Sequence, residues 1–267
     1  MPSHTRTVGI IGGKGLLGSD LVEHLGKDFE SISIDKDNYE THRGASFDVL
    51  VNANGNSRRF WANDNPREDF SASTISVYNS TTDFHFKKYV YISSSDVYEN
   101  HEESDATKEN VLIRPEGLSP YGLHKYLAEQ VVRNRTDNFL ILRSSMILGA
   151  NLKKGPFYDI LHGSPLFITA DSRLQAISTS VIADVIRHLI TSDRRNEVFN
   201  MGGQETFNFQ DLSTFVSLPV SFRQDAERQI YEMNVDKLKS IYPLKTSTEY
   251  VGEFLSHYVT EKTHQEN

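Results

Sequence analysis

Tyr121 and Lys125 stand four positions apart in Pro120-Tyr121-Gly122-Leu123-His124-Lys125. That spacing puts both side chains on one face of a helix. A phenol with a pKa near ~10 is a poor proton donor or acceptor at neutral pH. A neighbouring ammonium favours the phenolate and makes the pair a usable general acid and base. Ser94 closes the apolar run Lys88 to Ser94, at the strand end where open α/β sheets keep their ligands. Its hydroxyl could orient a carbonyl or alcohol beside the tyrosine. Tyr-x-x-x-Lys is a common spacing, and it gains weight here from what stands at the N-terminus.

There the run Val8-Gly9-Ile10-Ile11 leads into Gly12-Gly13-Lys14-Gly15-Leu16-Leu17-Gly18. Gly12, Gly15 and Gly18 form a G-x-x-G-x-x-G turn: glycine for the tight turn, for backbone approach to a pyrophosphate and for close helix–strand packing. The N–H groups and dipole of the following helix would hold the phosphates. Asp35 ends the next strand, where a carboxylate can accept from a ribose diol and repel a 2′-phosphate. This favours NAD. NADP stays open, because Lys36 adjoins Asp35 and Lys14 precedes Gly15. Lys125 could also hold the nicotinamide ribose.

These residues need a scaffold that brings strand ends together. Strands are expected over 8–11, 31–35, 47–53, 88–94, 139–142 and 197–200. Helices are expected from Leu16 to Leu25, from Pro66 to about Phe84, from Tyr121 to about Arg135, over 181–190 and over 209–216. Segments 54–65 and 99–110 read as polar loops. Strands alternating with helices predict a doubly wound, parallel, Rossmann-like sheet. The dinucleotide-binding part is placed at 1–149 and a small α+β substrate-binding subdomain at 150–267, with chain crossings between them.

The 267 residues contain 28 Lys and Arg against 36 Asp and Glu, a formal charge of −8, and no cysteine. The acidic balance argues against phosphate-backbone binding to nucleic acid. Zero cysteine excludes thiolate metal sites and a thiol nucleophile, and the histidines show no metal-ligand spacing, so no metal is expected. No run of about 18 apolar residues marks a membrane span. The start, Met1 to Thr7, lacks a signal-peptide core, so a cytoplasmic location is the expectation.

The motifs together resemble the extended short-chain dehydrogenase/reductases, the NAD-dependent epimerase/dehydratase family. Gly12 to Gly18 is similar to the family's cofactor loop. Val51-Asn52-Ala53-Asn54-Gly55 is similar to its fourth-strand motif, and Asn65-Pro66 to the start of its fourth helix. Ile92-Ser93-Ser94-Ser95-Asp96-Val97-Tyr98 resembles its fifth-strand signature, and Tyr121 and Lys125 fall on its catalytic pair. Leu142-Arg143-Ser144-Ser145 to Gly149 and Asn200-Met201-Gly202-Gly203 resemble later segments.

The resemblance implies Ser94, Tyr121 and Lys125 as catalytic residues. It implies cofactor contacts at Gly12, Lys14, Gly15, Leu16, Leu17, Gly18, Asp35, Lys36, Asn52, Ala53, Asn54, Tyr121 and Lys125. Candidate substrate contacts are Ser94, Ser95, Asp96, Arg58 and Arg173. The expected activity is hydride transfer on a sugar, nucleotide-linked by the resemblance. A 4-ketoreductase leads slightly, a 4-epimerase retaining NAD is the alternative, and a non-catalytic dinucleotide sensor is the alternative of another class. Members commonly pair through the helices matching 69–84 and 121–135, which implies a homodimer.

Three departures bear on this reading. The family's dehydratases carry an Asp-Glu pair where this chain has Ser95-Asp96, so dehydration is disfavoured. His124 stands where serine is frequent. The interval from Asp35 to Asp48 is short, leaving a helix and the adenine-side Asp motif missing or reduced.

Overall fold

A computed structural model describes residues 5–56, 59–214 and 219–265. Its centre is a six-stranded sheet, parallel throughout. In chain order the strands are β1 (Thr7–Ile11), β2 (Glu30–Ile34), β3 (Ser46–Asn52), β4 (His85–Ser94), β5 (Phe139–Ser144) and an edge strand, Glu197–Met201. Their spatial order from the other edge is β2, β1, β3, β4, β5, then Glu197–Met201. Crossing from β1 outward in both directions creates a switch point, the place where such sheets bind ligands.

Period-two alternation decides which side chain meets which helix. Val8, Ile10, Val49, Val51, Val90, Ile92, Leu140 and Leu142 lie in one core cluster with Leu17, Leu21, Ile182, Val185, Ile186 and Leu189. The latter come from the helices Leu16–Leu25 and Thr179–Thr191. Leu50, Tyr89, Tyr91, Phe139 and Ile141 cluster instead with Val77, Ala128 and Val132, from the helices Ser76–Asp83 and Pro120–Arg135. Burying both faces is what the near-continuous apolar strands require.

A separate cluster includes Leu148, Phe157, Ile160, Leu166, Phe207, Phe209 and Val251. It is framed by short strand pairs: Met146–Leu148 with Ala176–Ser178, Leu166–Ile168 with Phe222–Glu227, and Arg173–Leu174 with Phe207–Asn208. The chain nevertheless returns to the central sheet after residue 150, through Thr179–Thr191 and the Glu197–Met201 strand.

Several segments differ from the sequence expectation, among them the unforeseen helices Pro156–Leu161 and Ser247–Gln265. The polar loop 54–65 contains a helix, Arg59–Asp64. The helix expected over 209–216 is a short 3-10 turn, Gln210–Thr214, with 215 and 216 outside the described residues. The long helix from Pro66 is real but takes a π turn at Ser71–Ile75 before resuming as Ser76–Asp83. Periodicity shows apolar spacing and cannot register one inserted residue in the hydrogen-bond ladder. The loop 99–110 is also pinned: Thr107 is fully buried, and its hydroxyl bonds Glu232 O (3.1 Å) and Asn234 N (2.9 Å).

The short interval before β3 holds only a four-residue helix, Tyr39–His42, and the sheet ends at β2. No helix among the described residues is long and apolar enough to cross a membrane.

Candidate active site

The glycine turn is dictated by space. Gly12 has φ +82°, and a Cβ there would stand 3.0 Å from the Asn54 backbone. A Cβ on Gly18 would lie 1.9 Å from Gly12 O, so only glycine lets the first helix approach β1 this closely. Gly15 donates to Gly12 O (2.9 Å) and opens the helix without a side-chain cap. The first-turn N–H groups, which have no acceptor inside the helix, are left for an anion. Leu17 turns into the core and Leu16 stands against Gly149; what these two offer a phosphate is backbone N–H. The sequence pattern missed Gly13, where a Cβ would fall 2.2 Å from Ser33 Oγ.

Asp35 sits beside this turn at the end of β2. Its Oδ1 accepts from Lys14 N (3.1 Å) and its Oδ2 from Ser33 Oγ (2.8 Å). Each oxygen keeps a further lone pair for a hydroxyl. The exposed Lys14 ammonium pairs with Asp37, and Lys36 is exposed. Asn52 is fully buried, its amide donating to Ser80 Oγ (3.1 Å) and Tyr89 OH (2.9 Å) and its carbonyl accepting from Asn54 N (3.1 Å). It shapes the turn through Ala53 and Asn54 from below.

Ser94, Tyr121 and Lys125 converge at the end of β4. Ser119 caps the tyrosine helix by accepting from Gly122 N (3.2 Å), and Pro120 takes its first turn. A Cβ on Gly122 would lie 2.1 Å from Asp96 O, so this glycine lets the helix settle onto the Ser94–Asp96 turn. The Tyr121 phenol meets the Ser94 hydroxyl. Burial, and then the Asp96 carboxylate, push its pKa up and keep it protonated, with the Ser94 bond opposing. Lys125 is buried, donates to Ile92 O (3.1 Å) and lies 5.2 Å from the Tyr91 ring centroid. Burial pulls it down to about 8 against Asp69, Glu129 and Asp96. A Cβ on Gly55, which has φ +137°, would come 3.2 Å from Lys125 Nζ.

Beneath the site runs a satisfied polar network. Glu129, fully buried, accepts from Arg143 Nε (2.9 Å), Arg143 Nη2 (2.7 Å) and Ser93 Oγ (2.6 Å). Arg143 Nη1 donates to Tyr98 OH (2.9 Å), which donates to Asn200 Oδ1 (2.7 Å). A fully bonded network of this kind makes β4, the tyrosine helix, β5 and the edge strand one rigid unit.

The substrate-facing expectations divide. Asp96 Oδ2 accepts from Ser94 Oγ (2.8 Å), and its Oδ1 accepts from Arg59 Nη1 (3.2 Å) and Tyr231 OH (3.2 Å). Arg59 also donates to Gln229 Oε1 (3.0 Å) and to Tyr231 OH, over whose ring its guanidinium lies at 4.5 Å. His101 stacks on the same ring at 4.0 Å. Arg59 and Tyr231 are thus gathered on Asp96, with Gln229 held through Arg59, and no local pattern announces Gln229 or Tyr231. Ser95 is buried beside them in the turn. Arg173 faces Glu232 (3.7 Å) and is largely exposed; Gln175 is bound to Gly203 O and Met233. Arg58 lies outside the described residues. The hydroxyls of Ser73, Ser144 and Ser145 are buried without a partner. No group of three or more His, Asp or Glu among the described residues could hold a metal ion.

The sequence profile described as RmlD substrate binding domain matches residues 6–246. No curated protein matches the chain significantly. Among solved structures, it is similar to a dTDP-4-dehydrorhamnose reductase from Bacillus anthracis in complex with NADP, with TM-score 0.79 and 15% identity over 96% of this chain and 100% of that one. A UDP-galactose 4-epimerase superposes with TM-score 0.78 and 19% identity, covering 96% and 99%. A UDP-glucuronic acid 4-epimerase from Bacillus cereus, in complex with UDP-glucuronic acid and NAD, gives 0.75 and 17% over 96% and 99%.

Proposed function

The chain belongs to the RmlD substrate-binding domain family, and on that footing we propose that it is an NAD(P)-dependent oxidoreductase or epimerase acting on a nucleotide-linked sugar. The observation that carries this is the convergence of Ser94, Tyr121 and Lys125 beside the glycine turn. Its similarity to both reductases and epimerases supports the substrate class. The residues present suit a dinucleotide: Gly12 and Gly18 let the first helix close onto β1, which presents its first-turn N–H groups to a pyrophosphate, and the Asp35 oxygens keep lone pairs for a ribose diol.

In this reading the first-turn N–H groups hold the pyrophosphate, Asp35 takes the adenosine ribose, and Lys125 takes the nicotinamide ribose. The bound nicotinamide supplies the hydride. Tyr121, kept neutral by burial and by Asp96, donates its proton to the carbonyl oxygen of the substrate. Ser94 orients that oxygen, and Asp96, anchored by Arg59 and Tyr231, holds the Ser94 hydroxyl in place. The compact second half of the chain, residues 150–267, leans toward a 4-ketoreductase, with a 4-epimerase as the alternative. With Ser95 beside it, Asp96 has no second carboxylate to divide the two proton transfers of dehydration. A homodimer through the helical stretch 66–83 and the tyrosine helix completes the reading; Ile75 and Tyr78 are exposed there.

Incubation with NADH and a nucleotide-linked 4-keto sugar decides between the two. A reductase consumes NADH in equal amount to the sugar. An epimerase turns over without added reductant and carries its cofactor through purification. Absence of turnover on any nucleotide sugar would favour a dinucleotide sensor and overturn the reading.

A further inference from the structure

One buried ionic group is left unused by this mechanism. Asp69, in the helix Pro66–Phe70, has no solvent exposure. Its Oδ2 lies 2.6 Å from His124 Nδ1, and its Oδ1 accepts from Asn56 Nδ2 (2.9 Å). A carboxylate in a dry interior is strongly disfavoured unless a charge and hydrogen bonds compensate it. A neutral side chain of the same size would fit with less penalty.

Both of its partners flank Lys125. His124 immediately precedes it on the tyrosine helix. Asn56 follows Gly55, the residue whose Cβ position is 3.2 Å from Lys125 Nζ. The π turn Ser71–Ile75 begins just after this helix, and Thr74 Oγ1 donates to His124 O (3.0 Å). Asp69 therefore ties together the loop after β3, the π-turned segment and the tyrosine helix, which together enclose the ammonium.

The other charges facing Lys125 are already engaged. Glu129, from its own helix, is bound bidentately by Arg143. Asp96, from the turn after β4, is paired with Arg59. Tyr91 from β4 and Tyr121 from the helix present neutral rings and hydroxyls, both pushed up by burial. Ile92 O, which accepts from Nζ, is neutral. Of the three carboxylates that oppose the effect of burial on the ammonium, Asp69 is the one no arginine or lysine pairs with among the described residues.

We propose that Asp69, clasped by His124 and Asn56, is the positioning residue of Lys125: a fixed buried anion that keeps the ammonium charged and in place. The consequence for turnover rests on the role proposed for Lys125. The effect of Asp69 on the ammonium does not, and it is measured on the ammonium directly.

The test is a titration of protein labelled with carbon-13 at the lysine ε-carbon, the Lys125 resonance being identified by its absence in Lys125→Arg. In Asp69→Asn the Lys125 midpoint falls at least tenfold in proton affinity. Asp69→Ser serves as a second neutral replacement should the amide not fold. Asp69→Glu, which keeps the charge, stays within about threefold of the parent. A Lys125 midpoint unchanged in a folded Asp69→Asn or Asp69→Ser protein overturns the proposal. If the parent turns over no nucleotide sugar, the functional reading fails, while the titration still shows whether Asp69 holds the ammonium charged. If the parent does turn over such a sugar, Asp69→Asn lowers the alkaline limb of the rate profile in step with the titration.

Discussion

The two sides of Ser94 are built differently. On the side proposed for the cofactor, the groups are backbone: a φ of +82° at Gly12, a helix pressed onto Gly12 O through Gly18, and first-turn N–H groups that have no acceptor within the helix. On the side proposed for the substrate they are side chains drawn from distant segments, with Arg59 joined to Gln229, Tyr231 and Asp96. A backbone site is intolerant of added atoms and nearly indifferent to side-chain identity elsewhere. A side-chain site can be retuned one residue at a time. That division lets one scaffold keep its cofactor while its substrate changes.

Substitutions on each side test whether the two regions act separately. The largest effect belongs to the group between them: Tyr121→Phe should lower turnover by at least ~100-fold, the loss of a general acid, while cofactor affinity by fluorescence titration stays level. Unchanged turnover would refute the proton-transfer role. Gly18→Ala pushes a methyl into Gly12 O, and overpacking of this kind costs about 1–3 kcal/mol. Cofactor should then bind roughly 10- to 100-fold more weakly, and the melting temperature should fall. Tyr231→Phe and Arg59→Ala should raise KM for the sugar about tenfold, as for a lost charged hydrogen bond, with cofactor affinity unmoved. A shared loss of both affinities would mean the two sides are one site.

The smallest effect is the pH dependence. Burial pulls the Lys125 ammonium down to about 8, so the charged form prevails below that value and is lost above it. With the charged form required, kcat/KM should drop roughly fourfold between pH 7 and pH 8.5. A flat profile over that range would separate Lys125 from the rate.

Legibility followed the same division. Gly12, Gly18, Ser94, Tyr121 and Lys125 could be found because each lies in a short local pattern whose geometry is set within a few residues. Gly122 sat in plain view beside Tyr121, but its reason, the carbonyl of Asp96 at 2.1 Å from its Cβ position, belongs to another element. The π turn at Ser71–Ile75 was illegible because apolar spacing does not report which carbonyl each N–H chooses. The helix at Arg59–Asp64 was hidden in a polar stretch whose composition reads as loop.

A doubly wound parallel sheet, a tight glycine turn and a tyrosine–lysine helix face were legible in the residues alone, because backbone sterics and helix period act locally. Packing between distant segments is what brings Tyr231 to Asp96 and Gln229 to Arg59, spends Glu129 on Arg143, and sets Asp69 against His124. Those contacts join positions far apart in the chain. Their strength comes from burial, which no single segment possesses before the others have packed against it.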